Sequence, residues 1–278
     1  MSIRRTLLQT CTLLLALAGA LATADVPATP AWEFLEYEQR GWGVTARSRL
    51  QLSEEGGEGR TLVLMAESSI ANNAENLSLR LDPASYRLLE RSRLSRGRDQ
   101  RYKAWTYEPG HILRERREPG RDATRPPAEW PLSSRREVPY PDAIGDLAVT
   151  GAYALLPLAG RFLAGDSQSA DVIVHTDLNF YRVRMTRGAD SRIKAQFQLL
   201  GENIEVSGSQ DTRSVILRAS PVGTPEDKPD FSLLGLDGEI TVRFDALTGV
   251  PLQLQGRAPR IGAATINLKA VRMKAVAE

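Results

Sequence analysis

Apolar and polar residues alternate with a period of two through most of this chain, the pattern of strands that bury one face. Val44, Ala46, Ser48, Leu50 and Leu52 alternate with Thr45, Arg47, Arg49 and Gln51. Leu77, Leu79 and Leu81 keep the same step, as do Tyr181, Val183 and Met185. Ile193, Ala195, Phe197 and Leu199 follow, and then Ile240, Val242 and Phe244. One apolar face per strand suits antiparallel sheets, because parallel strands read as continuous apolar runs. Turn-forming stretches ("RGWG", "SEEGGEGR", "RGAD", "LGEN", "SQDT", "ALTG") separate the segments. Such punctuation implies up-and-down pairing of sequential neighbours. The template counts about a dozen strands.

Two segments break the pattern. Residues 119–141 hold six prolines and several charges, which predicts a loop without regular structure. After it, Ile144, Leu147, Ala148, Ala152, Leu155 and Leu156 are spaced as on a helix, over about 142–157, with Pro157 kinking or ending it. The expected fold is mainly β: a large curved antiparallel sheet or open up-and-down barrel with one central helical segment. It is expected as a single β domain over 25–278. N-terminal strands (32–118), the Pro/Arg-rich loop, the helix and C-terminal strands (169–276) make it up, the halves alone being thin in apolar residues. In "DALTGVPLQLQGRAPRIGAATINL", Pro251 fits a strand start and Gly249 a turn.

The N-terminus adds a destination. "MSIRR" is positively charged, "TLLQTCTLLLALAGALA" is apolar, and Ala22-x-Ala24 is a small-x-small cleavage pattern. This reads as a secretory signal peptide over 1–24, cleaved after Ala24, which implies a periplasmic protein without a transmembrane segment after cleavage. Cys11 is the only cysteine and falls within the leader, so no disulfide or thiolate chemistry is expected of the remainder. The chain has 36 basic and 34 acidic residues. Arg4 and Arg5 leave with the leader, and the balance that remains argues against nucleic-acid binding.

Candidate chemistry is sparse. A metal site needs converging ligands, and His111 and His175 are the only histidines. Each reads as structural, with no metal or cofactor expected. No G-x-S-x-G elbow, G-x-G-x-x-G or phosphate loop is present. Ser167 in "AGDSQSAD" with His175 is the nearest approach to a hydrolytic pair. Arginines cluster from Arg80 to Arg125, interleaved with Tyr86, Tyr102, Trp105 and Tyr107 and with Glu90, Asp99, Glu108 and Glu115. A solvated outer face with cross-strand ion pairs explains them. A surface for phosphate or anionic lipid headgroups is the alternative. Strands of an outer-membrane barrel would carry aromatic girdles and an apolar outer face. Here aromatics are 6% of the chain and the outward positions are charged.

The stretch "DGEITVRFDALTGVPLQLQGRAPRIGAATINLKAV" resembles the closing module of a family of bacterial periplasmic proteins of unknown function. Its elements are a hydrophobic strand (Ile240–Phe244), a Pro-hydrophobic-x-hydrophobic strand (Val250–Leu254) and an Ile-Gly-x-x-x-hydrophobic-x-Leu strand (Ile261–Leu268). Upstream, "PDAIGDLAVTGAYALLPLA" and "NFYRVRM" resemble the same family, so the likeness covers about 140–276. The resemblance implies a strongly curved sheet around a helix, similar to periplasmic lipoprotein carriers, and carries over no catalytic residue.

The sequence thus favours a non-enzymatic protein that binds a lipid-like or other hydrophobic envelope component on the concave face of the sheet. Phe197, Val206, Leu217, Val242, Phe244 and Leu252 are its candidate ligand contacts, with packing of the core as their plain alternative. An envelope assembly or structural factor acting through protein contacts, at the sheet edges or residues 119–141, is the second reading. A hydrolase using Ser167 or His175 is the third.

Overall fold

A computed structural model describes residues 30–41, 44–57, 59–97, 99–120, 124–225, 228–259 and 261–275. The leader expected over 1–24 lies outside them. Eight strands form an N-terminal meander: β1 (Trp32–Gly41), β2 (Val44–Glu55), β3 (Thr61–Ile70), β4 (Asn73–Leu81), β5 (Leu88–Arg96), β6 (Arg101–Glu108), β7 (His111–Arg117) and β8 (Leu132–Pro139). The short β9 (Val149–Thr150) precedes the helix α1 (Leu155–Ala164). Seven strands follow: β10 (Ser169–His175), β11 (Phe180–Arg187), β12 (Ser191–Leu199), β13 (Ile204–Val222), β14 (Asp237–Asp245), β15 (Pro251–Ala258) and β16 (Gly262–Met273).

All sixteen strands belong to one sheet; fifteen are ordered β8-β7-β6-β5-β4-β3-β2-β1-β16-β15-β14-β13-β11-β10-β9, and β12 branches off to pair with β13 and β16. Pairing is antiparallel except where β9 meets β10 and β12 meets β16. The first strand pairs with the last, Leu35 opposite Val271, which joins the two halves into a continuous curved wall. β15 accompanies β16 only as far as Asn267, and the end of β12 takes the place beside Ala270 and Val271.

The period-two reading holds at the level of burial. Leu77, Leu79 and Leu81 are buried, as are Tyr181, Val183 and Met185, and Ile240, Val242 and Phe244. These inner faces close on α1, whose Leu155, Leu156, Ala159, Phe162 and Leu163 are buried in the same core. Burying such a side chain stabilises by about 1.5–3 kcal/mol. The Tyr37 hydroxyl, wholly inside, donates to the Pro251 carbonyl at 2.8 Å, so the core does not strand a donor.

The helix lies further along the chain than the spacing over 142–157 predicts. Residues Asp142–Ile144 and Ala152–Ala154 are single 3-10 turns, with β9 between them. Pro157 opens the helix rather than ending it: it stands in the first turn, where a backbone N–H has no intrahelical acceptor to lose. At the other end, Arg187 donates to the carbonyls of Phe162 (3.4 Å) and Leu163 (3.3 Å). A cation on those orphan carbonyls opposes the negative end of the helix dipole.

Residues 119–141 also differ from the expected loop. Pro127–Glu129 is a 3-10 turn, and Leu132–Pro139 pairs with β7 as an edge strand. Proline is compatible with an edge because its missing donor faces outward. Pro131 and Pro139 with exposed Arg135, Arg136 and Glu137 make this edge a poor template for another strand.

Candidate functional site

The two ends of the sheet, β8 and β9, are not joined by a ladder. The turn between β10 and β11 closes the wall instead, docking on the inner face of β5, β6 and β7. Register fixes which side chains meet it: Arg91 lies opposite Trp105, and Trp105 opposite Arg114. Arg93 lies opposite Lys103, and Lys103 opposite Arg116. The inner face therefore turns from apolar on β3 and β4 to cationic on β5 to β7.

Asp177, in the docking turn, meets this row. Arg114 Nε donates to its Oδ1 at 2.8 Å, Lys103 Nζ donates to Oδ2, and Arg93 Nη2 stands 4.0 Å from Oδ2. Burial works against the charge on Asp177. The hydrogen bonds from Arg114 and Lys103 outweigh it and hold the carboxyl well below the usual carboxylate range. For Lys103 the balance tips the other way: burial lowers it to about 8 despite the bond to Asp177. Two cations share one carboxylate, so neither recovers in full what it loses on leaving water.

The backbone of the turn is held as well. Trp105 Nε1 donates to the Asp177 carbonyl at 3.1 Å. Arg91 lies over the Trp105 ring, 4.3 Å from its centroid, and donates to the carbonyls of His175 and Thr176. Asp230 braces the turn from the far side, accepting from Thr176 Oγ1 (2.7 Å), Asn179 Nδ2 (3.0 Å) and the Tyr181 hydroxyl (3.1 Å). Behind it, Trp105, Ile112, Val138, Ile144, Val149, Ile173 and Phe180 form a second apolar cluster that seals the seam. His175 is buried there, its Nδ1 2.9 Å from the Tyr107 hydroxyl and its ring 4.8 Å from that of Phe180. Burial, and then nearby Arg91, push it well below the ordinary histidine value, so its ring is neutral at pH 7.

Beside this junction lies a cavity of about 900 Å³. Leu77, Leu79, Ala152 and Leu234 give it an apolar patch, and Arg93 and Arg91 stand beside Leu77 and Leu79 as their neighbours on β5. A row of hydroxyls crosses the wall, Ser48 to Ser68 at 3.0 Å and Ser68 to Tyr153 at 3.4 Å. Exposed Ile70 and Ile261 stand at the mouth. Leu234 adopts φ 54°, a left-handed conformation that costs a branched residue about 1–3 kcal/mol and that surrounding contacts must enforce. Among the described residues no cluster of three or more His, Cys, Asp or Glu could hold a metal ion. No helix among them is long and apolar enough to cross a membrane.

This architecture has a solved counterpart. A crystal structure described as a beta-barrel-like protein of domain of unknown function DUF1849 from Brucella abortus matches with a TM-score of 0.51. The match covers 89% of this chain and 100% of that one at 8% identity. At such identity the likeness is one of fold: a barrel-like β protein. No protein-family model matches the chain, and no curated protein matches it.

The six residues expected to contact a ligand fall elsewhere. Leu217, Val242, Phe244 and Leu252 are together in the filled core around α1. Phe197 and Val206 oppose each other on the β12–β13 hairpin, only partly buried. None of the six lines this cavity, while Phe197 lines a second one beside β1, β2 and β12 and Leu252 a smaller one between β12 and β16. Ser167 and His175 are not brought together: Ser167 precedes the start of the extended seven-residue β10, and His175 is its last residue.

The arginine-rich stretch corrects the sequence reading most. Arg80, paired with Glu55 at 3.0 Å and Glu90 at 3.6 Å, and Arg117, paired with Glu115 at 2.8 Å, are outward as expected. Arg91, Arg93, Arg114 and Arg116 are inward, because parity along β5 and β7 puts them on the side of Trp105. Arg98 and Arg121 lie outside the described residues. The missed signal was Trp105 itself. A tryptophan that shares a face with Lys103 and Tyr107 belongs inside, and the hairpin at Pro109-Gly110 then carries Arg114 inside with it. Asp177 and Asp230 carried no periodic signal.

Proposed function

We propose that the protein works in the periplasm as a non-enzymatic binding protein, holding a lipid-like or other hydrophobic envelope component at the open end of its barrel. The cavity of about 900 Å³ carries this reading. It falls in the size range of small-molecule sites, and its lining joins an apolar patch (Leu77, Leu79, Ala152, Leu234) to many charged and hydroxyl side chains. The export signal at 1–24 supports the compartment. The concave face contributes in one restricted place, since α1 fills the rest of the interior.

The test is native mass spectrometry of protein stripped of lipid, refolded and incubated with an envelope lipid extract. Retention of a discrete lipid by the wild type, and its loss in Ala152→Trp with the melting temperature unchanged, supports the reading. A wild type that retains nothing overturns it.

A further inference from the structure

We infer that the ligand of this cavity carries an anionic group, a phosphate or a carboxylate, which docks on Arg91 and Arg93. The inference rests on the binding reading above and adds the chemical class of the ligand.

Charge counting on the cationic wall comes first. Six cations share the inner face of β5 to β7: Arg91, Arg93, Arg101, Lys103, Arg114 and Arg116. Among the described residues four carboxylates come within 4.0 Å of them, Asp99 standing 4.0 Å from Arg101. Asp177 is taken by Lys103 and Arg114, and Glu118 by Arg116. Glu75 stands 3.7 Å from Arg93 without a hydrogen bond to it among the described residues. Arg91 has no carboxylate within that distance among the described residues; its acceptors are two neutral carbonyls. A guanidinium does not give up its proton in a protein, so the surplus charge stays.

Unused donors come second. Arg91 is 9% exposed, and its Nε is buried without a hydrogen-bond partner. Arg93 Nε is in the same state. His175 Nε2, also on the cavity wall, is buried and unpartnered too. Leaving a buried donor unmade is costly, and folded proteins keep such groups where something else satisfies them. Two orphaned guanidinium donors beside one cavity suit an oxyanion, since such groups match phosphate and carboxylate. The apolar wall of Leu77, Leu79 and Leu234 then receives the rest of the molecule.

Dodecyl phosphate, dodecanol and inorganic phosphate, titrated calorimetrically into the delipidated full chain, separate the possibilities. Dodecyl phosphate is expected to bind at least about tenfold more tightly than dodecanol, the scale of a hydrogen bond to a charged group. Arg93→Gln, which removes no short hydrogen bond, is expected to erase most of that preference without lowering the melting temperature. If the variant does not fold, the three probes on the wild type still decide. Equal binding of dodecyl phosphate and dodecanol overturns the anion site and leaves the binding reading standing. Inorganic phosphate binding as tightly as dodecyl phosphate supports the anion site and overturns the hydrophobic ligand. Failure of all three to bind overturns both.

Discussion

The barrel interior has two kinds of wall. Around α1, strands β1 to β4 and β11 to β16 bring apolar side chains together over a continuous ladder, and Phe244 packs beneath Gly160. On β5 to β7 the inner positions are cationic, and closure is made by one turn, through Asp177, two backbone carbonyls held by Arg91, and Trp105. The apolar wall needs only shape, because dispersion and the hydrophobic effect are not directional. The cationic wall needs its partners at particular atoms, and where a partner is missing a cavity with unused donors remains. The binding site proposed here lies where the second kind of wall meets the first.

The comparison can be broken most forcefully at its two centres. Phe244→Ala is expected to cost about 4 kcal/mol in chemical denaturation, the transfer and cavity terms of a buried aromatic. Asp177→Ala is expected to cost about 3 kcal/mol, because Lys103 and Arg114 lose the carboxylate that offsets their burial. The two share no partner, so the double variant should be additive within about 0.5 kcal/mol. Strong coupling would show that the walls are one cooperative unit.

Acid should act first on the seam. His175 is held neutral by burial, while the unfolded chain takes up its proton near pH 6.5. The folded state therefore loses stability from this group as pH falls below about 6.5. Asp177, depressed in the folded state, contributes stability that is lost only as pH falls below about 4. The melting temperature is expected to decline between pH 7 and 5, and His175→Gln to flatten that decline. An unchanged slope in the variant would assign the acid sensitivity to other groups.

Smaller effects sharpen the boundary. Thr150 donates to the Tyr86 carbonyl at 2.8 Å and ties β9 across the seam. Thr150→Val is expected to cost about 1 kcal/mol and to raise hydrogen exchange at the seam first. Arg218, paired with Glu239 at 2.6 Å on the outer surface, is more than half exposed. Arg218→Ala should shift stability by less than about 0.5 kcal/mol. A larger loss there would mean that outer ion pairs, too, hold the wall together.

Most of the sheet was legible in the chain, since alternation and turn residues are local properties. The strands expected at Val250–Leu254 and Ile261–Leu268 form with starts one residue later, at Pro251 and Gly262. Asp245 accepts from the Thr248 backbone at 2.7 Å in the turn before β15, and Gly249 follows at φ 68°. The helix position was not legible, because an apolar run on both sides of Pro157 has the same periodicity whether the proline opens or closes it. The edge strand at 132–139 was hidden by its prolines, which an edge tolerates.

The candidate site was the least legible part. Period two divides a strand into two faces but does not name the inner one when both carry polar residues, as β5 to β7 do. Alternation and turn chemistry by themselves determined the curved β architecture. Trp105 marked the inner side of β5 to β7, and only the tertiary structure decided what Arg91 and Arg93 meet there. Those partners are Asp177 and the carbonyls of residues 175 and 176, more than sixty positions further along the chain, and no local pattern encodes a partner at that distance.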